Sequence, residues 1–164
     1  MEYWDIYDGN RTLTGRTISR GESLKENEYH IVIHAWIRNS KNEFLIQKRS
    51  KYVEKNPEKW SLTSGSVVKG ENSYNACIRE IHEELGIEPN MTNAKRIFTL
   101  KRNSDFCDVW LIDLNIDIEN LKLQEKEVEE VQWVTKKEIY KRVYRREFVA
   151  YSYIRRFFKE IDKI

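Results

Sequence analysis

The sequence predicts a mixed α/β chain, and three patterns support this prediction. Runs of alternating or continuous apolar residues, rich in β-branched and aromatic side chains, are typical of strands and occur in both halves of the chain. Between these runs, residues 73–85 repeat apolar side chains at helical spacing. Residues 145–162 do the same near the C-terminal end. The predicted order is therefore strands, a central helix, more strands and a final helix.

Four strand segments are predicted before the central helix. YWDIYD and TLTGRTISR predict an antiparallel pair joined at the turn sequence DGN, so residues 1–27 are expected to form an N-terminal β-hairpin extension. EYHIVIHAWIRN and NEFLIQKRS predict two stronger strands joined by the polar turn at residues 39–42. Residues 50–59, SKYVEKNPEK, predict a basic and polar loop.

The central helix is predicted from an apolar stripe and a stop signal. The stripe consists of Tyr74, Cys77, Ile78, Ile81 and Leu85. It indicates an amphipathic helix over residues 73–85 that packs against a core. Gly86 follows as a C-terminal cap, because glycine readily adopts the left-handed conformation that commonly ends a helix.

The second half of the chain predicts three strands and two helices. RIFTLKR, DFCDVWLIDLNID and EVQWV have strand patterns, and a short helix is predicted from about Lys136. In RREFVAYSYIRRFFKEI, apolar residues recur at helical spacing at Phe148, Tyr151, Ile154 and Phe158. This spacing predicts an amphipathic C-terminal helix within residues 145–162.

Length and composition predict a single domain over residues 1–164. The chain has 40% hydrophobic residues, enough for one core. Its 29 basic and 27 acidic residues nearly balance, so its net charge favours neither nucleic acid nor a membrane surface as a partner. No apolar run approaches the roughly 20 residues of a membrane span, and the opening MEYWDIYDGN lacks the regions of a signal peptide. We expect a cytoplasmic protein with no DNA or membrane partner.

The cysteines and histidines are expected to be structural. Cys77 and Cys107 lack the C-x-x-C spacing of a zinc site, and two cysteines do not indicate a disulfide framework. We expect two buried free thiols. His30, His34 and His82 have no second histidine at metal-ligand spacing.

The segment GSVVKGENSYNACIREIHEELGI, residues 65–87, indicates the chemistry. At about 100° per residue, Glu80, Glu83 and Glu84 share one arc of the helix beside its apolar stripe. Like charges one turn apart repel and raise one another's pKa, so the arrangement is costly without a cation. Clustered hard oxygen ligands suit Mg²⁺ or Mn²⁺.

The alternative is a solvated acidic helix face on which Arg79 pairs locally. Gly65, Glu71 and Gly86 at fixed spacings around the carboxylates favour the cation site. Water that attacks a phosphorus flanked by anionic oxygens needs charge neutralisation, activation and a stabilised leaving phosphate, all of which bound cations can supply. The segment therefore predicts hydrolysis of a diphosphate.

Residues 65–87 resemble the complete signature box of the Nudix hydrolases, the MutT-like superfamily. The resemblance implies an α/β/α sandwich with a central mixed β-sheet. It implies a Mg²⁺- or Mn²⁺-dependent hydrolase that cleaves a diphosphate bond in a nucleoside diphosphate linked to another moiety. The implied metal ligands are Glu80, Glu83, Glu84 and the backbone carbonyl of Gly65. Arg79 would orient a carboxylate, Glu83 is the first candidate for positioning the water, and Glu127 is the second candidate for the base.

The N-terminal half also resembles the isopentenyl-diphosphate isomerase branch of that superfamily. The similar features are YWDIYD, Thr14-Gly15, Tyr29-His30, LIQKRS, and Pro57 with Trp60. Those isomerases carry a cysteine followed closely by Gly-His, whereas this chain has Ser64, Gly65 and Ser66. A serine hydroxyl near its normal pKa cannot replace the thiol in allylic proton transfer. The sequence therefore favours a hydrolase of the isomerase-like subgroup.

Lys48 and Arg49 are the predicted substrate-binding residues, because the resembling families place basic side chains near the diphosphate at this strand end. Strand alternation lets only one of them face the site, and we expect Arg49, whose guanidinium can grip phosphate oxygens in a fork. The sequence does not specify the small-molecule substrate. Isomerase activity and a catalytically silent nucleotide-binding module stay open as alternatives, and so does a homodimer formed through the aromatic C-terminal helix.

Overall fold

A computed structural model describes residues 1–164, with nine strands and three α-helices. The strands are β1 (Tyr3–Tyr7), β2 (Leu13–Ser19), β3 (His30–Arg38), β4 (Phe44–Arg49), β5 (Trp60–Ser61), β6 (Thr63–Ser66), β7 (Ala94–Lys101), β8 (Asp105–Asp113) and β9 (Val128–Val134). The helices are α1 (Ser73–Leu85), α2 (Lys136–Tyr144) and α3 (Ile154–Ile161). None of these helices has the length and apolar composition needed to cross a membrane.

Seven strands form one mixed sheet, as expected. Its main path is β5-β4-β3-β8-β7, while β6 pairs with β3 and β9 pairs with β4. The β3–β8 pair is parallel, and the other pairs are antiparallel. In a strand, successive side chains point to opposite faces, so β3, at the centre of the sheet, contributes to two separate cores.

The two faces of the sheet are covered by different helices. Ile31, Ile33, Ala35 and Ile37 of β3 pack with buried residues of α1 on one face. Trp36 of β3 packs on the other face with buried residues of α2 and α3. The predicted α/β/α sandwich is therefore confirmed.

Helix α1 has the bounds that the apolar stripe predicts. Its N-terminus is capped by the Asn72 side chain, which accepts a hydrogen bond from the Asn75 backbone N–H at 2.9 Å. It ends at Gly86, which has φ 70°. Within the predicted stripe, Tyr74 is 39% exposed rather than buried, and its ring contacts Trp110 edge-on. Cys77 is buried as a free thiol, as is Cys107.

The N-terminal strands β1 and β2 form the predicted antiparallel hairpin, separate from the large sheet. Between them, Arg11 forms a bidentate ion pair with the fully buried Asp108 of β8, at 2.5 and 2.7 Å. Trp4 of β1 stacks on His30 with ring centroids 4.2 Å apart. These contacts hold the hairpin against the end of the sheet.

The C-terminal helix is shorter than predicted. Residues 145–153 are not helical, and α3 begins at Ile154. The backbone N–H of Trp60 donates to the Glu147 carbonyl, and that of Val149 donates to the Trp60 carbonyl, at 2.9 and 2.8 Å. This segment therefore pairs beside β5 instead of forming a helix. The aromatic residues of α3, Phe157 and Phe158, are buried inside the chain.

Candidate active site

The site lies where β6 passes beside α1. Gly65 of β6 pairs with Ile33 of β3 and lies against Glu80 of α1. A Cβ atom added to Gly65 would lie 1.9 Å from the Glu80 Oε1 atom, far inside the contact distance. Any larger residue at this position would therefore displace the Glu80 carboxylate from its place against the backbone.

Arg79 connects the carboxylates of the site. Its Nε and Nη2 atoms donate to the two carboxylate oxygens of Glu71, both at 3.0 Å. Its Nη1 atom donates to Glu80 at 2.7 Å and to Glu83 at 3.3 Å, and Nη2 also donates to the Ser66 carbonyl at 2.8 Å. Burial works against the charge of Arg79, yet Glu71 and Glu80 raise its pKa above the usual value. Arg79 is therefore placed to orient carboxylates.

Glu80 is a largely buried carboxylate whose charge is only partly compensated. Burial raises its pKa to about 7, although Arg79 opposes the rise, and Glu83 and Glu127 add to it by repulsion. A carboxylate in this setting gains stability in its charged form from any additional cation.

Glu84 is fully buried on the side of α1 that faces β4. Gln47 of β4 donates to one of its carboxylate oxygens at 2.7 Å, and Gln47 in turn accepts from the Thr63 hydroxyl at 3.0 Å. Burial holds the pKa of Glu84 well above its usual range, and the charge of Glu80 adds to the rise. Glu84 does not line the cavity in which Gly65, Glu80 and Glu83 meet.

A cavity of about 270 Å³ brings together Gly65, Glu80, Glu83 and Glu127, with Arg79 in its wall. Glu83 is half-exposed, with 47% of its side-chain surface accessible. Glu127 precedes β9, where its backbone carbonyl accepts from the Ser50 N–H at 2.8 Å. The acidic side chains do not form a ready-made group of three metal ligands in this arrangement. The structure therefore gathers Glu80 and Glu83 with Gly65 and Glu127, and places Glu84 behind them.

Lys48 and Arg49 point in different directions, as strand alternation requires. The Lys48 ammonium lies 3.2 Å from Glu129 and pairs with it. Arg49 lines a second cavity of about 370 Å³ next to the first, and its Nε donates to the Lys55 carbonyl at 2.9 Å. Lys48 is thus turned away from both cavities, and Arg49 remains the substrate-binding candidate.

Two residues at the site were not identified from the sequence. Gln47 is 3% exposed, and its sequence signal is a polar amide within the otherwise apolar run FLIQ. Arg102 follows β7 and lines both cavities. It has no local signal, because its role depends on how the β7–β8 turn lies against β3 and β6.

Comparison with known proteins supports the resemblance seen in the sequence. A family model described as NUDIX domain matches residues 28–157. An uncharacterized Nudix hydrolase of Listeria monocytogenes is 40% identical over 159 residues, covering 96% of this chain and 94% of the relative.

Two crystal structures share the fold. A Deinococcus radiodurans protein has a TM-score of 0.79 at 20% identity, covering 94% of this chain and 98% of that protein. A MutT protein from Methanosarcina mazei has a TM-score of 0.62 at 28% identity, covering 86% of this chain and 97% of that protein.

Proposed function

Because the chain belongs to the Nudix hydrolase family, we propose that it cleaves a diphosphate bond in a nucleoside diphosphate linked to another moiety, with Mg²⁺ or Mn²⁺ as cofactor. The observation that supports this proposal best is the cavity in which Gly65, Glu80, Glu83 and Glu127 meet beside Arg79. In this cavity, carboxylates of α1 and of the loop before β9 lie beside β6, which has no side chain at Gly65.

The donor set fits a hard divalent cation. The proposed ligands in the cavity are carboxylate oxygens of Glu80 and Glu83 and the Gly65 carbonyl, which are the oxygen donors that Mg²⁺ and Mn²⁺ prefer. Glu84, the third proposed carboxylate ligand, lies behind them against Gln47 and would have to turn toward the cavity to bind the cation. Gly65 leaves room for the Glu80 carboxylate against the backbone. The raised pKa values of Glu80 and Glu84, caused first by burial, indicate a cluster that a cation would stabilise. When bound, the metal neutralises charge on the diphosphate and activates water.

The protein residues have separable roles in the proposed reaction. Arg79 orients Glu80 and Glu83 through its hydrogen bonds. Glu83, half-exposed at the cavity, positions the attacking water and accepts its proton. Glu127 is the second candidate for this base, because its loop brings it to the same cavity. Arg49 binds a phosphate oxygen from the neighbouring cavity.

The proposal is tested by phosphate or nucleotide release from a panel of nucleoside diphosphate derivatives, with isopentenyl diphosphate included. We expect Glu83→Gln to reduce turnover by at least about 100-fold, because general acid–base catalysis contributes about 10²–10⁴-fold. Glu88→Gln is the matched control, since Glu88 is exposed just beyond α1 and pairs only with His82. Thermal unfolding of both variants checks that the fold is intact.

Two outcomes would contradict the proposal. Full activity in both Glu83→Gln and Glu84→Gln would remove the carboxylates from the mechanism. Interconversion of the five-carbon diphosphates in place of hydrolysis would instead support isomerase chemistry.

A further inference from the structure

The second cavity has a volume of about 370 Å³. Among the residues that line it, only Arg49 has a role in the proposed reaction. It adjoins the catalytic cavity, and both are lined by His34, Ser64 and Arg102. Its outer wall is the non-helical segment that precedes α3, including Tyr151. This segment is not helical, contrary to the sequence prediction, and it closes one side of the cavity.

The charged side chains of the second cavity are all basic, whereas the catalytic cavity combines four glutamates with Arg20, Arg79 and Arg102. Arg49, Lys55 and Arg102 line the second cavity, and no carboxylate does. Four glutamates line the catalytic cavity, which are Glu2, Glu80, Glu83 and Glu127. Burial lowers the pKa of His34 to about 3, so this imidazole is neutral and adds no charge near pH 7. We call the second cavity the basic cavity.

Arg102 is anchored through one edge of its guanidinium and keeps free donors. Its Nε donates to the Asp105 carboxylate at 2.6 Å, and its backbone N–H donates to the Asp105 carbonyl at 2.8 Å. Its terminal nitrogens make no hydrogen bond within the chain. Arg49 is anchored in the same way, through Nε to the Lys55 carbonyl. Each guanidinium is therefore fixed at one edge, while the terminal N–H groups stay available for an anion.

We propose that one phosphate group of the substrate lies at the carboxylates while the next phosphate group binds in the basic cavity. Arg102 contacts both phosphate groups. This inference rests on the proposed diphosphate hydrolysis. The substrate class is then a diphosphate or longer polyphosphate whose second phosphate enters a site without carboxylates. Arg102 is suited to bridge the two cavities because it lines both.

The experiment measures binding rather than turnover. Inorganic pyrophosphate is titrated by calorimetry into the full chain with EDTA present, so that no divalent cation contributes. We expect wild-type binding that Arg102→Gln weakens at least about tenfold, the loss typical of a hydrogen bond to a charged group. Arg155→Gln is the control for the loss of one charge, because Arg155 is exposed on α3, lines neither cavity and forms no ion pair.

Each outcome decides the inference. Wild-type affinity in Arg102→Gln, an equal loss in Arg155→Gln, or no binding by the wild type at millimolar pyrophosphate would overturn it.

Arg102→Lys, which keeps the charge but loses the fork, should give intermediate affinity and guards against a folding defect in Arg102→Gln. Pyrophosphate binding retained by Glu83→Gln separates this test from the test of hydrolysis. For a hydrolysed substrate, Arg102→Gln should raise KM more than it lowers kcat.

Discussion

Individual residues at the site differ in how far the sequence predicted them. Arg79, Glu80 and Glu83 lie at fixed spacings within one helix, so local periodicity placed them together. Gln47 comes from β4 and Arg102 from the β7–β8 turn, and their contacts with the site depend on pairing between distant segments. Residues joined by helical spacing are predictable from sequence, whereas residues joined through the sheet are not.

The close approach of Glu80 to Gly65 can be tested by substitution. Gly65→Ala should displace Glu80, because the new Cβ would lie 1.9 Å from its Oε1 atom. We expect turnover to fall at least about tenfold, since small displacements in a catalytic arrangement cost about 10²-fold. Steady-state kinetics of the purified variant measure this, and unchanged kcat and KM would show that the close approach has no catalytic role.

Gln47 gives a second prediction. Gln47→Leu leaves the buried Glu84 carboxylate without its amide donor. The free energy of unfolding should fall by about 1–3 kcal/mol, the cost of an unsatisfied buried polar group. Urea unfolding measures the change, with Gln124→Leu at an exposed position as the control. Equal stability of the two variants would mean that the Gln47 hydrogen bond is not needed.

At the scale of elements, α1 and seven of the nine strands followed their sequence patterns, whereas the short strands β5 and β6 were not predicted and the C-terminal segment departed from its pattern. Both bounds of α1 were predicted because the apolar face and Gly86 as the stop agree locally, and the structure adds Asn72 as the N-terminal cap. Residues 145–153 also have helical spacing, but the backbone of Glu147 and Val149 bonds to Trp60. The buried positions of Phe148 and Tyr153 are thus reached from a non-helical segment. Tertiary pairing overrides local periodicity where a strand edge is available.

The contact between the N-terminal hairpin and the sheet can be tested by substitution of Arg11. Arg11→Gln removes the bidentate partner of the fully buried Asp108 and leaves only the more exposed Arg96, at 3.6 Å, as a cation near it. Burial opposes the charge of Asp108, but hydrogen bonds from Arg11, Thr99 and Ser73 lower its pKa, so it stays ionised. Breaking a buried pair from one side costs about 3 kcal/mol of stability.

Chemical denaturation measures this loss. The control is Arg38→Gln, which breaks the more exposed Arg38–Asp113 pair and should cost less than about 1 kcal/mol. Similar small losses in both variants would show that Arg11 does not hold the hairpin to the sheet.

At the scale of the whole molecule, one sheet positions two adjoining cavities, one lined by glutamates together with arginines and one whose charged side chains are all basic. The parallel pair β3–β8 places the β7–β8 turn, with Arg102, beside β6 and Gly65. Helix α1 adds the carboxylates from one face, and the segment before α3 closes the basic cavity. The sequence predicted the layers through the family resemblance, but it did not predict the basic cavity, whose lining residues come from six separate stretches of the chain.

The most direct measurement of the central claim is turnover of the diphosphate panel by the wild-type protein with Mg²⁺, with Mn²⁺ and with excess EDTA. We predict release of phosphate or nucleotide from one class of diphosphate only when a divalent cation is present, and loss of this release in EDTA. Undiminished hydrolysis in EDTA, or no turnover of any diphosphate with either metal, would contradict a metal-dependent diphosphate hydrolase.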